Sequence, residues 1–147
     1  MEKCNDTFIS STAWTERVGF AAGLATIKFL RKKKVFLRIK KRGKYILKKW
    51  KELADLNGLR IKTNEFYSNP SFQFEYGKKN EELHTLFTEL MLKKGYLATN
   101  NMFITYSHKL SDIQNYLKKC NECFYLIKQS IDLKKKLLKS RIRKITY

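Results

Sequence analysis

The feature that most constrains this chain is an uncharged segment near its beginning, from Val18 to Ile27. Thr15 is a good N-cap residue, because its hydroxyl can accept hydrogen bonds from the free N–H groups of a first helical turn. Glu16 then lies where the helix dipole favours an anion. A helix that is apolar or small-sided all round is normally buried on more than one side. We therefore expect a buried helix that holds the polar residues before it, Thr12 and Trp14 among them, in place.

The rest of the chain alternates helical and extended patterns. The predicted elements are a helix from Val35 to Asn57, strands at Leu59–Thr63 and Ser71–Tyr76, a helix from Asn80 to Leu92, a strand at Met102–Tyr106 and a helix from about Asp112 to Ile131. Asn57-Gly58 is typical of a helix end, and Ser111-Asp-Ile-Gln114 has the spacing of a capping box. The pattern predicts an α+β fold with helices packed on one face of a small antiparallel sheet.

Residues 10 to 27, Ser-Ser-Thr-Ala-Trp-Thr-Glu-Arg-Val-Gly-Phe-Ala-Ala-Gly-Leu-Ala-Thr-Ile, resemble a segment of a known enzyme family. It is the segment that leads into the small C-terminal domain of class III (fold type I) pyridoxal-phosphate aminotransferases, the glutamate-1-semialdehyde aminomutase-like members above all. The likeness continues through Gly58, Leu83 to Tyr96 and Ala98-Thr-Asn-Asn-Met-Phe-Ile-Thr-Tyr-Ser-His108, and so covers most of residues 8 to 131.

The resemblance implies a domain organisation. Residues 1–14 would lead from a large domain that binds pyridoxal phosphate (PLP), residues 15–131 would form the small domain, and residues 132–147 would be a basic tail. The tail has no counterpart in the family and either extends the last helix or is disordered. The expected partners are the large domain, as part of the protein or as a separate subunit, and a second protomer, since the family forms homodimers.

The resemblance also implies roles for individual residues. Thr12 matches a threonine that contacts the cofactor phosphate of the neighbouring subunit. His108 follows a strand end that lies near the substrate mouth in the family. Trp14 and Glu16 are candidates for the substrate entrance, with local packing and helix capping as the alternative.

Catalytic groups of the family are missing from this chain. The lysine that forms the Schiff base with PLP and the acid that pairs with the pyridine nitrogen lie upstream of the Thr12 position in the family. In this sequence Lys3 is the only lysine before Thr12, and it lacks the motif that flanks the family's lysine. No catalytic residue is therefore assigned, and the chain alone is expected to be inactive and not to bind PLP stably. A split gene, a fragment of a longer sequence and a domain put to a new use all fit this pattern.

The chain is strongly basic, with 32 Lys+Arg against 13 Asp+Glu and a formal net charge of +19. Between residues 28 and 51 there is no acid, and the basic positions are 28, 31–34, 38, 40–42, 44, 48, 49 and 51. Such density attracts phosphate backbones without sequence specificity. A solvated basic face in a genome with AT-rich codons is the interpretation that the sequence favours. A small basic nucleic-acid-binding protein is therefore the alternative function.

Cysteines and histidines give no separate site. Cys120-Asn-Glu-Cys123 has the spacing of a zinc or redox motif, but without a second cysteine pair it is interpreted as two small residues on an apolar helix face. No metal site is assigned. His84 is predicted to lie on a helix surface.

No signal peptide is recognisable in the sequence, and no run approaches the roughly 18 apolar residues that span a bilayer. A cytoplasmic protein without a membrane partner is expected.

Overall fold

The computed structural model describes residues 17–133. Among these residues, no helix is long and apolar enough to cross a bilayer. The elements, in chain order, are α1 (Arg17–Lys32), α2 (Val35–Leu56), β1 (Ile61–Thr63), β2 (Phe72–Phe74), a 3-10 turn (Gly77–Lys79), α3 (Asn80–Lys93) and α4 (Leu110–Asp132). No feature of the described residues tests the predicted domain boundaries at residues 14 and 131, and both stay predictions.

The chain forms two compact units, residues 1–35 and residues 36–147. The first unit contains α1, which continues to Lys32, beyond the uncharged segment. The helix that the sequence predicts to be buried has no cover from the described part of this chain, since every residue of α1 is exposed. Val18 and Phe20 expose 71% and 70% of their surface, and Leu24 exposes 54%. The physical reason is that the described residues of this unit supply no second element to cover the helix.

The second unit has its core around the Phe72 ring. That ring makes edge-on contacts with Trp50 of α2, Phe87 of α3 and Phe124 of α4, at centroid distances of 5.0, 5.2 and 5.5 Å. Edge-to-face packing at these distances suits the quadrupoles of aromatic rings. One side chain of β2 thus joins three helices, which places α2, α3 and α4 around the same core.

The sheet has two antiparallel strands, with Ile61 paired to Phe74 and Thr63 to Phe72. Phe72 and Phe74 are buried and Gln73 between them is exposed, so the predicted alternation is confirmed. The third predicted strand, Met102–Tyr106, is not a strand in the structure. Its backbone does run beside residues 68–70, because Met102 and Ile104 donate to the carbonyls of Pro70 and Ser68. Proline has no N–H to return such a bond, and a regular ladder does not form.

Helix boundaries follow local hydrogen bonds that the sequence indicates only in part. Asn80, the predicted cap of α3, is instead its first residue, and its Oδ1 accepts from the Tyr76 N–H at 2.7 Å. Helix α4 begins at Leu110, earlier than predicted, because the Asp112 carboxylate accepts from the Lys109 N–H at 2.9 Å. The predicted stop at Gly58 is confirmed by its φ of +65°, a conformation that glycine adopts without strain.

These elements confirm the predicted fold class. Three helices pack around the aromatic core next to a small antiparallel sheet, with α3 packed against both β2 and α4. The arrangement is α+β.

Candidate functional site

Most of the sequence-predicted site residues cannot be placed. Thr12, Trp14 and Glu16 lie outside the described residues. The basic tail beyond Leu133 lies outside them as well. His108 is the predicted site residue that the structure describes.

His108 is half-buried just before α4 and is held in one orientation. Its Nδ1 accepts a hydrogen bond from the Thr105 N–H at 3.1 Å. An imidazole that accepts through Nδ1 carries its proton on Nε2 when it is neutral. The local structure therefore leaves His108 with one donor, Nε2–H, for any further contact.

A cavity of about 430 Å³ lies between the loop after α3 and the beginning of α4. It is lined by apolar side chains and by a few polar ones, among which are His108, Asp112, Thr99 and Asn101. A cavity of this size and mixed lining suits a small ligand. His108 as a residue at the edge of a substrate site remains a prediction, now with a cavity beside it.

A second cavity, of about 460 Å³, lies along α2 and α4, and several polar side chains contribute to its lining. They include Lys49, Lys118, Gln114 and Asn121. The Lys49 amine is already bound to the Glu52 carboxylate, at 2.7 Å.

Neither cavity fits PLP. The cofactor needs a lysine for its Schiff base and a carboxylate for its pyridine nitrogen. The first cavity has Asp112 but no lysine in its lining, and the second has Lys49 and Lys118 but no carboxylate. Residues 17–133 thus supply no complete cofactor site in these cavities, and no chemistry of PLP is assigned to them.

The two described cysteines are core residues, as interpreted from the sequence. Cys120 and Cys123 are both fully buried on α4, and Cys123 Sγ donates to Met91 Sδ at 3.5 Å. Burial raises the pKa of Cys120 to about 12 and that of Cys123 to about 11. Their thiols therefore stay protonated near neutrality, and the thiolates that bind metals or attack disulfides are not formed.

The prediction for His84 is wrong. It exposes only 8% of its surface and lies against the rings of Phe72 and Phe74, at ring-centroid distances of 6.0 and 5.0 Å. Burial lowers its pKa to about 4 from an ordinary value of 6.5. Histidine occurs both in protein cores and on surfaces, so one histidine next to an apolar stripe does not show which side of α3 it occupies. It is a core residue that stays neutral.

Sequence reasoning also missed the aromatic side chains beside the basic helix. Arg38 lies over the Tyr106 ring, 4.4 Å from its centroid, and Lys44 lies 5.3 Å from the centroid of Tyr67. These pairs are distant in sequence, and no local pattern could have indicated them.

The fold is similar to that of the C-terminal part of a solved PLP-bound protein. The solved structure that shows this is the PLP internal aldimine form of the FumI protein from Sphingopyxis sp. MTA144. It matches 89% of this chain with a TM-score of 0.77 at 18% sequence identity, and the match covers 32% of that protein. At this identity the likeness establishes the fold alone. No protein-family model and no curated protein matches the sequence.

Proposed function

We propose that this chain is the small-domain part of a PLP-dependent class III aminotransferase, of the glutamate-1-semialdehyde aminomutase-like kind. The observation that carries the proposal is the fold match, which covers 89% of this chain but only 32% of a PLP-bound protein. The remaining parts of such an enzyme, with the Schiff-base lysine, would come from a large domain. Amino-group transfer or aminomutase chemistry would belong to the complete assembly, a homodimer in the cytoplasm.

The exposed surface of α1 supports this proposal. A contiguous apolar surface of this kind on a soluble protein usually marks a contact with another chain or domain. Phe20, Leu24 and Ile27 all expose half or more of their surface. We propose that the large domain covers this surface of α1. The reason is that about two thirds of the matched solved protein lies outside the part that this chain matches.

Thr12 is the residue through which this chain would contact the cofactor. Its hydroxyl would donate to the PLP phosphate held by the other subunit. A hydrogen bond to a charged group contributes about 1.5–3 kcal/mol, so we expect Thr12→Ala to weaken cofactor binding by about ten- to a hundredfold.

The experiment is cofactor affinity, measured on the chain assembled with its large domain. Thr12→Ser keeps the hydroxyl and should bind nearly as tightly as the parent. Ser11→Ala is the matched control, since alternate side chains of an extended segment point in opposite directions. Equal affinity of the Thr12→Ala and parent assemblies would show that Thr12 does not have this role.

A further inference from the structure

Helix α2 carries a ridge of exposed lysines beside its buried residues. Lys40, Lys44, Lys48 and Lys51 follow one another at steps of three or four residues, and all four are exposed. At a rise of about 1.5 Å per residue the ridge extends over about 16 Å. The buried side of the same helix, with Ile46 and Trp50, belongs to the core. We call these four lysines the basic ridge.

Two tyrosines from other parts of the chain lie beside cations of the first three turns of α2. Lys40 and Lys44 of the basic ridge lie 6.0 and 5.3 Å from the centroid of the Tyr67 ring. Outside the ridge, Arg38 lies over Tyr106, whose carbonyl accepts from Arg42 Nη1 at 3.0 Å. Cation–π contacts of this kind restrain cations that would otherwise sample many rotamers.

The segment that carries Tyr67 is fixed against α2 by a close backbone approach. A Cβ at Gly43 would meet the Tyr67 carbonyl oxygen at 1.8 Å, so that only glycine fits at this position. Phe66, the neighbour of Tyr67, exposes 63% of its surface. An exposed aromatic ring thus lies on a segment anchored beside the basic ridge.

The charge of this face is only partly neutralised within the described part of the chain. The salt bridges of α2 there are those of Lys48 and Lys49 with Glu52, near the C-terminal end of the helix. Arg38, Lys40 and Lys44 have no carboxylate partner among residues 17–133. The first three turns of α2 therefore form a positive face with no compensating acid.

We propose that this face of α2 binds single-stranded nucleic acid through its phosphate backbone, without sequence selection. Basic grooves flanked by aromatic rings that stack on unpaired bases are how proteins bind single strands. A membrane surface suits the face less well, because a helix that lies on lipid inserts its apolar side and the apolar side of α2 is inside the core. The inference is independent of the PLP-enzyme proposal and needs no large domain.

The test is binding of the full chain to a fluorescent oligouridylate, followed by anisotropy over a range of salt concentrations. The variant Lys40→Gln/Lys44→Gln/Lys48→Gln removes three contacts, and its affinity should fall at least tenfold. The slope of log affinity against log salt should decrease by about 2, from about 0.7 for each lost phosphate contact. The control Lys62→Gln/Lys78→Gln/Lys118→Gln has the same net charge, removes exposed lysines elsewhere and should lose less than threefold.

Stacking is tested separately with Phe66→Ala, which should weaken oligouridylate binding severalfold and leave duplex DNA binding unchanged. Equal losses for the two lysine triples would overturn the proposal, since net charge alone would then explain the binding. Tighter binding to duplex DNA than to the single strand would also overturn it, as would binding to vesicles of anionic phospholipid in preference to both.

Discussion

Helix α1 and helix α2 differ in how well their sequences predict their burial. Helix α1 has the more apolar sequence, yet all of its residues are exposed. Helix α2 is crowded with lysine and arginine, yet it contributes Ile46, Trp50 and Ala54 to the core. The difference shows that an apolar pattern predicts that a helix needs cover, whereas amphipathic periodicity also predicts which side is covered.

The largest test of this contrast compares two phenylalanines. Phe72→Ala removes the ring that joins three helices, and the loss of a buried phenylalanine costs about 3–5 kcal/mol of unfolding free energy. Phe20→Ala in α1 should change the unfolding free energy by less than about 0.5 kcal/mol, as exposed substitutions do. Urea unfolding followed by circular dichroism measures both. A large loss for Phe20→Ala would mean that α1 is packed within this chain.

A second test uses pH and the buried His84. Its folded pKa of about 4 is below the ordinary value of 6.5, so the unfolded chain binds the proton more readily than the folded chain between those values. Stability from this residue is therefore complete above about pH 6.5 and is lost as pH falls towards 4, by up to about 3 kcal/mol.

The measurement for His84 is the unfolding free energy at several pH values, for the parent and for His84→Phe. Carboxylates titrate in both proteins, so the difference between the two curves isolates the histidine. We expect the parent to lose stability relative to the variant below pH 6.5. Parallel curves would show that His84 is not buried in the folded chain.

The third and smallest test compares two glycines. Gly43→Ala places a methyl group against the Tyr67 carbonyl, and overpacking of this kind costs about 1–3 kcal/mol. Gly23→Ala in α1 meets nothing within 4 Å, and a helical glycine replaced by alanine gains about 0.5–1 kcal/mol. We expect Gly43→Ala to lower the thermal unfolding temperature and Gly23→Ala to raise the helix content. A stabilising Gly43→Ala would exclude the close approach to Tyr67.

The helices and paired strands were predictable because their signals are local. Periodic apolar residues predicted the end of α2 to within one residue, and Gly58 predicted where the helix stops. The third predicted strand, Met102–Tyr106, does not form. Its own residues could not indicate this, since the reason lies in Pro70, a residue of the segment beside it. His84 was missed for a related reason: a lone histidine is compatible with either side of α3, and only the rings of Phe72 and Phe74 decide.

The candidate site was predictable only as far as a family resemblance allowed. Thr12, Trp14 and Glu16 lie outside the described residues, and their roles remain predictions. The cavity beside His108 and the tyrosines beside α2 are made by residues far apart in sequence, which no spacing rule could bring together.

The central claim, that this chain works as the small domain of a PLP enzyme, is tested most directly on protein isolated from the cells that make it. After borohydride reduction, which fixes PLP to its lysine, mass spectrometry should find the cofactor in the isolated assembly. We predict that the modified lysine lies in a large domain joined to or bound to this chain, outside residues 1–147. Isolation of the 147-residue chain without a large domain and without PLP would contradict the claim.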